Sequence, residues 1–244
     1  MNIGFERILP TPGYPAGTTA AALVGLTWES KANVAVAFRS GLKIALRAAQ
    51  LGRCCFCRRQ LYDDYATHLE HFVDKATFPQ FGYEIRNLAL SCGTCNIRKN
   101  AYFSVWDRKF KFLTRNFFGP LPARCPVLSV ALKSGDAFPA TPASFSWVNP
   151  HLHSYSQHIL LTRGWIFEGQ SPEGRRTIRS LKLNDVGQIE RRALVERLEA
   201  RGGALSMLVG AISVLDQHRA NDVKDAVIKV IRRRREAAKA NAGI

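Results

Sequence analysis

Acidic residues are scarce in this chain. Nineteen Asp and Glu stand against 35 Lys and Arg in 244 residues, a formal net charge of +16 with a pI near 10.1. A balance that basic speaks to partners rather than to fold, and polyanions, nucleic acid first among them, are its natural counterparts. A merely cationic, solvated surface is the plainer alternative. Long apolar runs are lacking as well. The run over residues 20–26 is far too short to span a bilayer, so no membrane segment is expected. The opening MNIGFERILPTPGYPAG has no basic stretch followed by an apolar core, so no signal peptide is expected either. Cysteines number only six and are not spread along the chain, which argues against a secreted disulfide framework. A reducing, cytoplasmic setting is the expectation. Internal repeats are absent. Apolar residues are not scarce: at 46% they permit a sizeable core and exclude global disorder. The length suits one large domain or two small ones.

The chemistry is concentrated in residues 54–100, CCFCRRQLYDDYATHLEHFVDKATFPQFGYEIRNLALSCGTCNIRKN. Two Cys-x-x-Cys pairs, Cys54/Cys57 and Cys92/Cys95, bracket Glu70-His71 and Asn87-Leu88. Four thiolates in two close pairs are a tetrahedral zinc site in sequence form, and a closed set of four leaves no open position, so the zinc is structural. Cys55 is a substitute ligand, but spacing favours Cys54 with Cys57; Cys125 stands alone. Phosphodiester hydrolysis needs a base for water and a divalent cation for the leaving oxygen. His71 has the pKa range for the base, and Glu70 has a hard oxygen for Mg²⁺. Adjacent strand residues point to opposite faces, so both serve one site only if the strand bends or bulges there. Asn96 offers an amide oxygen as a second cation ligand, and Asn87 can fix the loop after His71 through backbone hydrogen bonds.

These residues resemble the HNH endonucleases of the zinc-knuckle type. That family's pattern is C-x-x-C, Asp/Glu-His, Asn-Leu, then C-x-x-C-[His/Asn]-x-x-Lys, and this sequence carries it as Cys54/Cys57, Glu70-His71, Asn87-Leu88 and Cys92/Cys95 followed by Asn96 and Lys99. Glu70 stands where Asp is commoner, Asn96 where His is, and Asp74-Lys75 where many members have Pro-basic. The resemblance implies an α+β fold: a ββα-metal core with a four-cysteine zinc clamp, flanked by an N-terminal helix and a mostly helical C-terminal region with a small β segment. It implies His71 as general base, Glu70 and Asn96 as Mg²⁺ ligands, Asn87 as the orienting asparagine, and 5′-phosphate and 3′-hydroxyl products. A second similarity, at Asn149-Pro150, His158-Ile159, Gly164, Thr177-Ile178, Leu183-Asn184 and Arg191-Arg192, is to the C-terminal region of HNH subunits from Septu-type and retron-associated antiphage systems. It implies an ABC-like ATPase partner.

Elsewhere the sequence yields elements. Pro10, Pro12, Gly13, Pro15 and Gly17 make residues 1–26 an arm that either wraps a partner or lies on its own domain. Val34, Phe38, Leu42, Ala45, Leu46 and Ala49 recur at helical steps over 28–51, with Gly41 placed to break the helix in two. Arg39, Lys43 and Arg47 form a phosphate-facing ridge or a solvated face. A strand over 67–73, a loop over 78–86, a strand over 88–90 and a helix over 95–105 follow. The segment 108–115, RKFKFLTR, interleaves charge and aromatics as nucleic acid requires. Its Arg108, Lys109, Lys111 and Arg115, with Lys99, are candidate phosphate contacts. The alternative is a strand with Phe110 and Phe112 inside. Strands are expected at 145–149 and 159–167, with a turn at Glu168-Gly169. His151, His153 and His158 read as polar surface histidines. From Gly174 the chain is helical, with Asn184 or Asp185 capping a helix over 186–201, then helices over 204–218 and 222–240, the last carrying arginines 232–235. The implied division is 1–50 arm and helix, 51–116 nuclease core, and 117–244 a β-then-helical region for partner binding. The leading functional expectation is a Mg²⁺-dependent endonuclease acting on nucleic acid, DNA first, in antiphage defence. The alternative is a non-catalytic zinc module that binds nucleic acid or scaffolds a complex.

Overall fold

The structure, a computed structural model, describes residues 3–61, 67–116, 124–133, 135–162, 166–185, 187, 228, 229 and 233. The chain divides into two compact units, Met1–Arg192 and Ala193–Ile244. The helices expected over 186–201, 204–218 and 222–240 lie almost wholly outside the described residues. Among the described residues, no helix is long and apolar enough to cross a membrane.

The first unit mixes helices with two small antiparallel sheets. Its arm lies on its own domain: Phe5 and Ile8 are buried, and Ile8 N–H donates to the Pro150 carbonyl. A short helix, α1 (Ala20–Leu23), is capped by Thr19, whose hydroxyl accepts from the Ala22 N–H. The next, α2 (Asn33–Ala49), buries Ala35, Phe38, Leu42 and Leu46, the apolar stripe of a helix packed on one side. Gly41 does not break it. A Cβ there would stand 2.6 Å from the Cβ of Pro15, so its bare backbone is where the arm crosses the helix. Arg39 donates to the carbonyls of Trp28 and Ser30, and Arg47 to that of Leu61. Two members of the expected ridge therefore hold loops in place.

Strands β1 (Thr67–His71) and β2 (Leu88–Cys92) pair in unbroken register, with Glu70 opposite Ala89 and His71 opposite Leu88. The outer edge of β2 is finished by a side chain. Gln50, fully buried, accepts from the Leu90 N–H at 2.6 Å and donates to its carbonyl at 3.0 Å, mimicking a strand. The helix α3 (Gly93–Leu113) starts directly at the end of β2. It runs eight residues past the expected end at 105 because the next Gly or Pro after Gly93 is Gly119, too late to stop it there. An Asp107–Lys111 ion pair at 2.7 Å and a Trp106–Phe110 stack at 5.3 Å support its last turns. RKFKFLTR is therefore mostly helix, not strand, and Phe112 is 62% exposed. Its two-residue alternation is too short to separate the two periods.

Beyond α3, Leu128 bridges Phe145 without forming a full strand. Then come α4 (Tyr155–His158), β3 (Ile159–Leu161), β4 (Phe167–Gly169) and α5 (Pro172–Ser180). The reversal between β3 and β4 falls before Phe167, where Thr162 N–H donates to the Ile166 carbonyl, rather than at Glu168-Gly169, which are paired in β4. The helix expected after Asn184 lies almost wholly outside the described residues, and the Asn184 amide is engaged elsewhere. It clamps both backbone groups of Phe167 at 2.8 Å and finishes the edge of β4. His151 and His153 are buried, each 5% exposed, not surface residues. His151 Nε2 reaches the Leu88 carbonyl, and His153 Nδ1 accepts from the Asn149 N–H. One apolar cluster runs from Phe5 to Leu183, so both expected boundaries, at 50/51 and at 116/117, cut through shared core.

The contact of α5 with α4 yields a sharp expectation. A Cβ on Gly174 would stand 1.9 Å from the His158 carbonyl oxygen, a backbone atom that cannot swing aside. Gly174→Ala is expected to cost about 1–3 kcal/mol of overpacking and to lower the melting temperature by about 3–10 °C. An unchanged melting curve would show that the two helices can part freely.

Candidate functional site

The four sulfurs of Cys54, Cys57, Cys92 and Cys95 are all buried and lie within 4.8 Å of one another. Cys57 Sγ and Cys92 Sγ are 3.8 Å apart. A tetrahedron with Zn–S bonds of about 2.3 Å has edges of about 3.8 Å, so the cluster fits a metal such as zinc. Local backbone explains the fit. Arg58 takes a left-handed φ of 58° and reverses the chain after the first pair, while Cys92 and Cys95 straddle the β2–α3 junction. Backbone N–H groups point at sulfur: Cys92 N–H toward Cys54 Sγ at 3.3 Å and Cys95 N–H toward Cys92 Sγ at 3.5 Å. Hydrogen bonding to Cys54 and Cys57, with burial added, holds Cys92 well above the ordinary thiol range. With Cys92 and Cys95 held above the ordinary thiol range and Cys54 and Cys57 below it, all four become thiolates together only with a cation among them. Arg59 supplies positive charge beside the cluster; burial works against its charge, but the four sulfurs outweigh it and raise its pKa. Cys55 and Cys125 are buried outside the cluster.

His71 ends β1. Its Nε2 is 3.0 Å from the Gly82 carbonyl oxygen. A carbonyl only accepts, so Nε2 carries the proton and Nδ1 keeps the lone pair. Burial lowers its pKa to about 4, against the opposing Gly82 bond, and the ring is neutral at pH 7. The Trp28 ring meets it edge-on at 4.3 Å. Trp28 is held by the Arg39 bond to its carbonyl, and its neighbours by Tyr83 Oη to the Thr27 carbonyl and Lys75 to Glu29. A cleft of about 560 Å³ is lined by Trp28 and Gly82 among others, both of which contact the His71 ring.

Glu70 leaves the opposite face. The ladder is regular at 70 and 71, so the expected bulge is not there and the two side chains diverge. The Glu70 carboxylate meets Lys99 Nζ at 2.5 Å, both side chains under 5% exposed. Burial raises the Glu70 pKa, with the Lys99 charge opposing. Lys99 also donates to the His71 carbonyl at 2.7 Å, so one ammonium ties the two residues together. The expected phosphate contact by Lys99 is not met: at 2% exposed it is an internal counter-ion instead. Only Oε1 of Glu70 is engaged by Lys99, and Oε2 has no hydrogen-bond partner among the described residues. Asn96 sits half-buried in the first turn of α3, one turn before Lys99, and accepts weakly from Asn100 at 3.4 Å. Asn87 is fully buried. Its amide donates to the Val73 and Phe81 carbonyls and accepts from the Val73 N–H, closing the loop between β1 and β2. Arg108, Lys109, Lys111 and Arg115 are exposed at the far end of α3.

Three site residues, Trp28, Gly82 and Arg59, are not among those the sequence points to. Arg59 carries a signal, a charge directly after the first cysteine pair. Trp28 carries none, being 43 residues from His71. Comparison with protein-family models, curated proteins and solved structures found no match to this chain.

Proposed function

We propose that this protein is a metal-dependent endonuclease of the HNH kind, its fold clamped by a metal at the four cysteines and its chemistry carried by His71. The observation that carries the reading is the imidazole locked by Gly82 as the Nε2–H tautomer, with a neutral Nδ1 available to take a proton. The HNH pattern assigns the divalent cation, which would stabilise charge at the leaving oxygen, to Glu70 and Asn96. Because the regular ladder sets Glu70 on the face opposite His71, the end of β1 must bend for both to act on one phosphate. His71 Nδ1 accepts a proton from water as the water oxygen attacks phosphorus. The bond from phosphorus to the 3′-oxygen breaks, and that oxygen takes up a proton, leaving a 5′-phosphate and a 3′-hydroxyl. Asn87 keeps the loop that carries Gly82 in place and so keeps the tautomer. Lys99 fixes the strand end from behind.

A second reading is favoured by one observation: His71 is only 7% exposed, beneath Trp28. In that reading the domain is a metal-clamped module that binds nucleic acid without cutting it. Supercoiled plasmid incubated with zinc-loaded protein, with and without Mg²⁺, separates the two. Mg²⁺-dependent cutting that falls at least about a hundredfold in His71→Ala, with melting unchanged, supports the nuclease. Equal cutting by both proteins removes His71 as base, and binding without cutting favours the module. The likeness to defence-system subunits extends the proposal to an ABC-like ATPase partner, which copurification would test.

A further inference from the structure

A second cavity, of about 300 Å³, opens between the C-terminal half of α3, the segment after residue 123 and α5. Tyr102 and Trp106, one helical turn apart, form one wall, and Arg124 and Arg176 stand among the other lining residues. The aromatic wall is rigidly backed. Trp147, fully buried, packs on Tyr102 with ring centroids 5.4 Å apart. Phe110 stacks on Trp106 at 5.3 Å and 3°, which fixes the plane of the Trp106 ring. Arg124 reaches over Phe110 at 5.8 Å, and Arg176 donates weakly to the Ser146 carbonyl at 3.4 Å. Neither arginine has an ion-pair partner among the described residues. The volume falls at the lower end of small-ligand sites. Two flat rings and two uncompensated guanidiniums in one pocket match a ligand that is both a planar ring and an anion.

We propose that this pocket holds one unpaired nucleotide, its base against Tyr102 and Trp106 and its phosphate between Arg124 and Arg176. The base must be unpaired because a base within a duplex has both faces covered by its neighbours. Lys99 and Trp106 lie on one face of α3, about 10 Å apart along its axis, so the pocket shares a side of the helix with the Glu70–Lys99 pair. The inference rests on the nuclease reading only for the nucleotide being part of a strand; the pocket's own chemistry accepts a free nucleotide as well.

The test is fluorescence anisotropy of a labelled oligothymidylate and a labelled duplex with the full, zinc-loaded chain, in the absence of added Mg²⁺. Trp106→Ala is expected to weaken single-strand binding roughly tenfold and to leave duplex binding unchanged. The double variant Arg124→Ala/Arg176→Ala alters only exposed side chains, and is expected to lower the salt slope of single-strand binding by about one. Competition by thymidine monophosphate assigns the site to free nucleotides; its failure assigns it to the strand. Single-strand binding by the double-arginine variant with wild-type affinity and salt slope overturns the proposal. Loss of the nuclease reading would show separately, as plasmid cutting indifferent to His71, and would leave these binding results standing.

Discussion

Cys92→Ser is expected to purify without bound zinc and without the cooperative unfolding transition of the parent protein. Cys92 is at once a cluster thiol, the N-cap of α3 and the last residue of β2. Losing its sulfur removes a metal ligand and the acceptor of the Cys95 N–H together. Structural zinc contributes apparent binding free energies on the order of 10–16 kcal/mol, comparable to or larger than the net stability of a typical domain. The effect should therefore be collapse rather than a shifted midpoint. Cys55→Ser and Cys125→Ser are the controls: both thiols are buried, yet neither belongs to the four-sulfur group. They should retain one zinc per chain. Metal analysis and thermal melting on the three variants decide the matter. Full zinc content in Cys92→Ser, or its loss in Cys55→Ser, would show that a different set of thiols binds.

The Lys99–Glu70 pair should give the next largest effect. Lys99→Met keeps most of the side-chain volume and removes the charge, stranding a carboxylate that is 4% exposed. Breaking one partner of a buried pair costs about 3–5 kcal/mol, which for a chain of this size is about 6–20 °C in melting temperature. Lys99→Met/Glu70→Gln should recover a good part of the loss, because no uncompensated charge remains buried. A surface lysine kept for phosphate contact would behave oppositely, with little change in melting and a lower salt slope for nucleic-acid binding. Melting curves of the two variants beside the parent separate these outcomes. A single variant as stable as the parent would mean that the ammonium is not the counter-ion of Glu70.

Much of the central stretch is legible in its residues and their spacing. The cysteine pairs name the cluster because a metal imposes its own geometry on whatever backbone surrounds it. The order of strand, loop, strand and helix follows from apolar runs broken by Pro79 and Gly82. What misleads is local pattern without its surroundings. RKFKF alternates like a strand and folds as helix because α3 meets no stop signal. Gly41 looks like a break and is a contact point for Pro15. His151 and His153 look polar and are buried, because backbone groups at Leu88 and Asn149 satisfy them.

By itself, the sequence determined the charge of the protein, the four thiols that could hold a metal and the placing of an acid, an imidazole and two amides between and beside them. These depend on residue identity and short spacing, which a chain carries whether folded or not. Tertiary structure alone decided which face each side chain uses. It set Glu70 against Lys99 and His71 beneath Trp28, on opposite sides of one strand, and it gave His71 its neutral tautomer through a carbonyl eleven residues away. It also gathered Tyr102, Trp106, Arg124 and Arg176 into one pocket. Such pairings arise only when the hydrophobic core fixes distant segments side by side, and burial then sets which charges can persist.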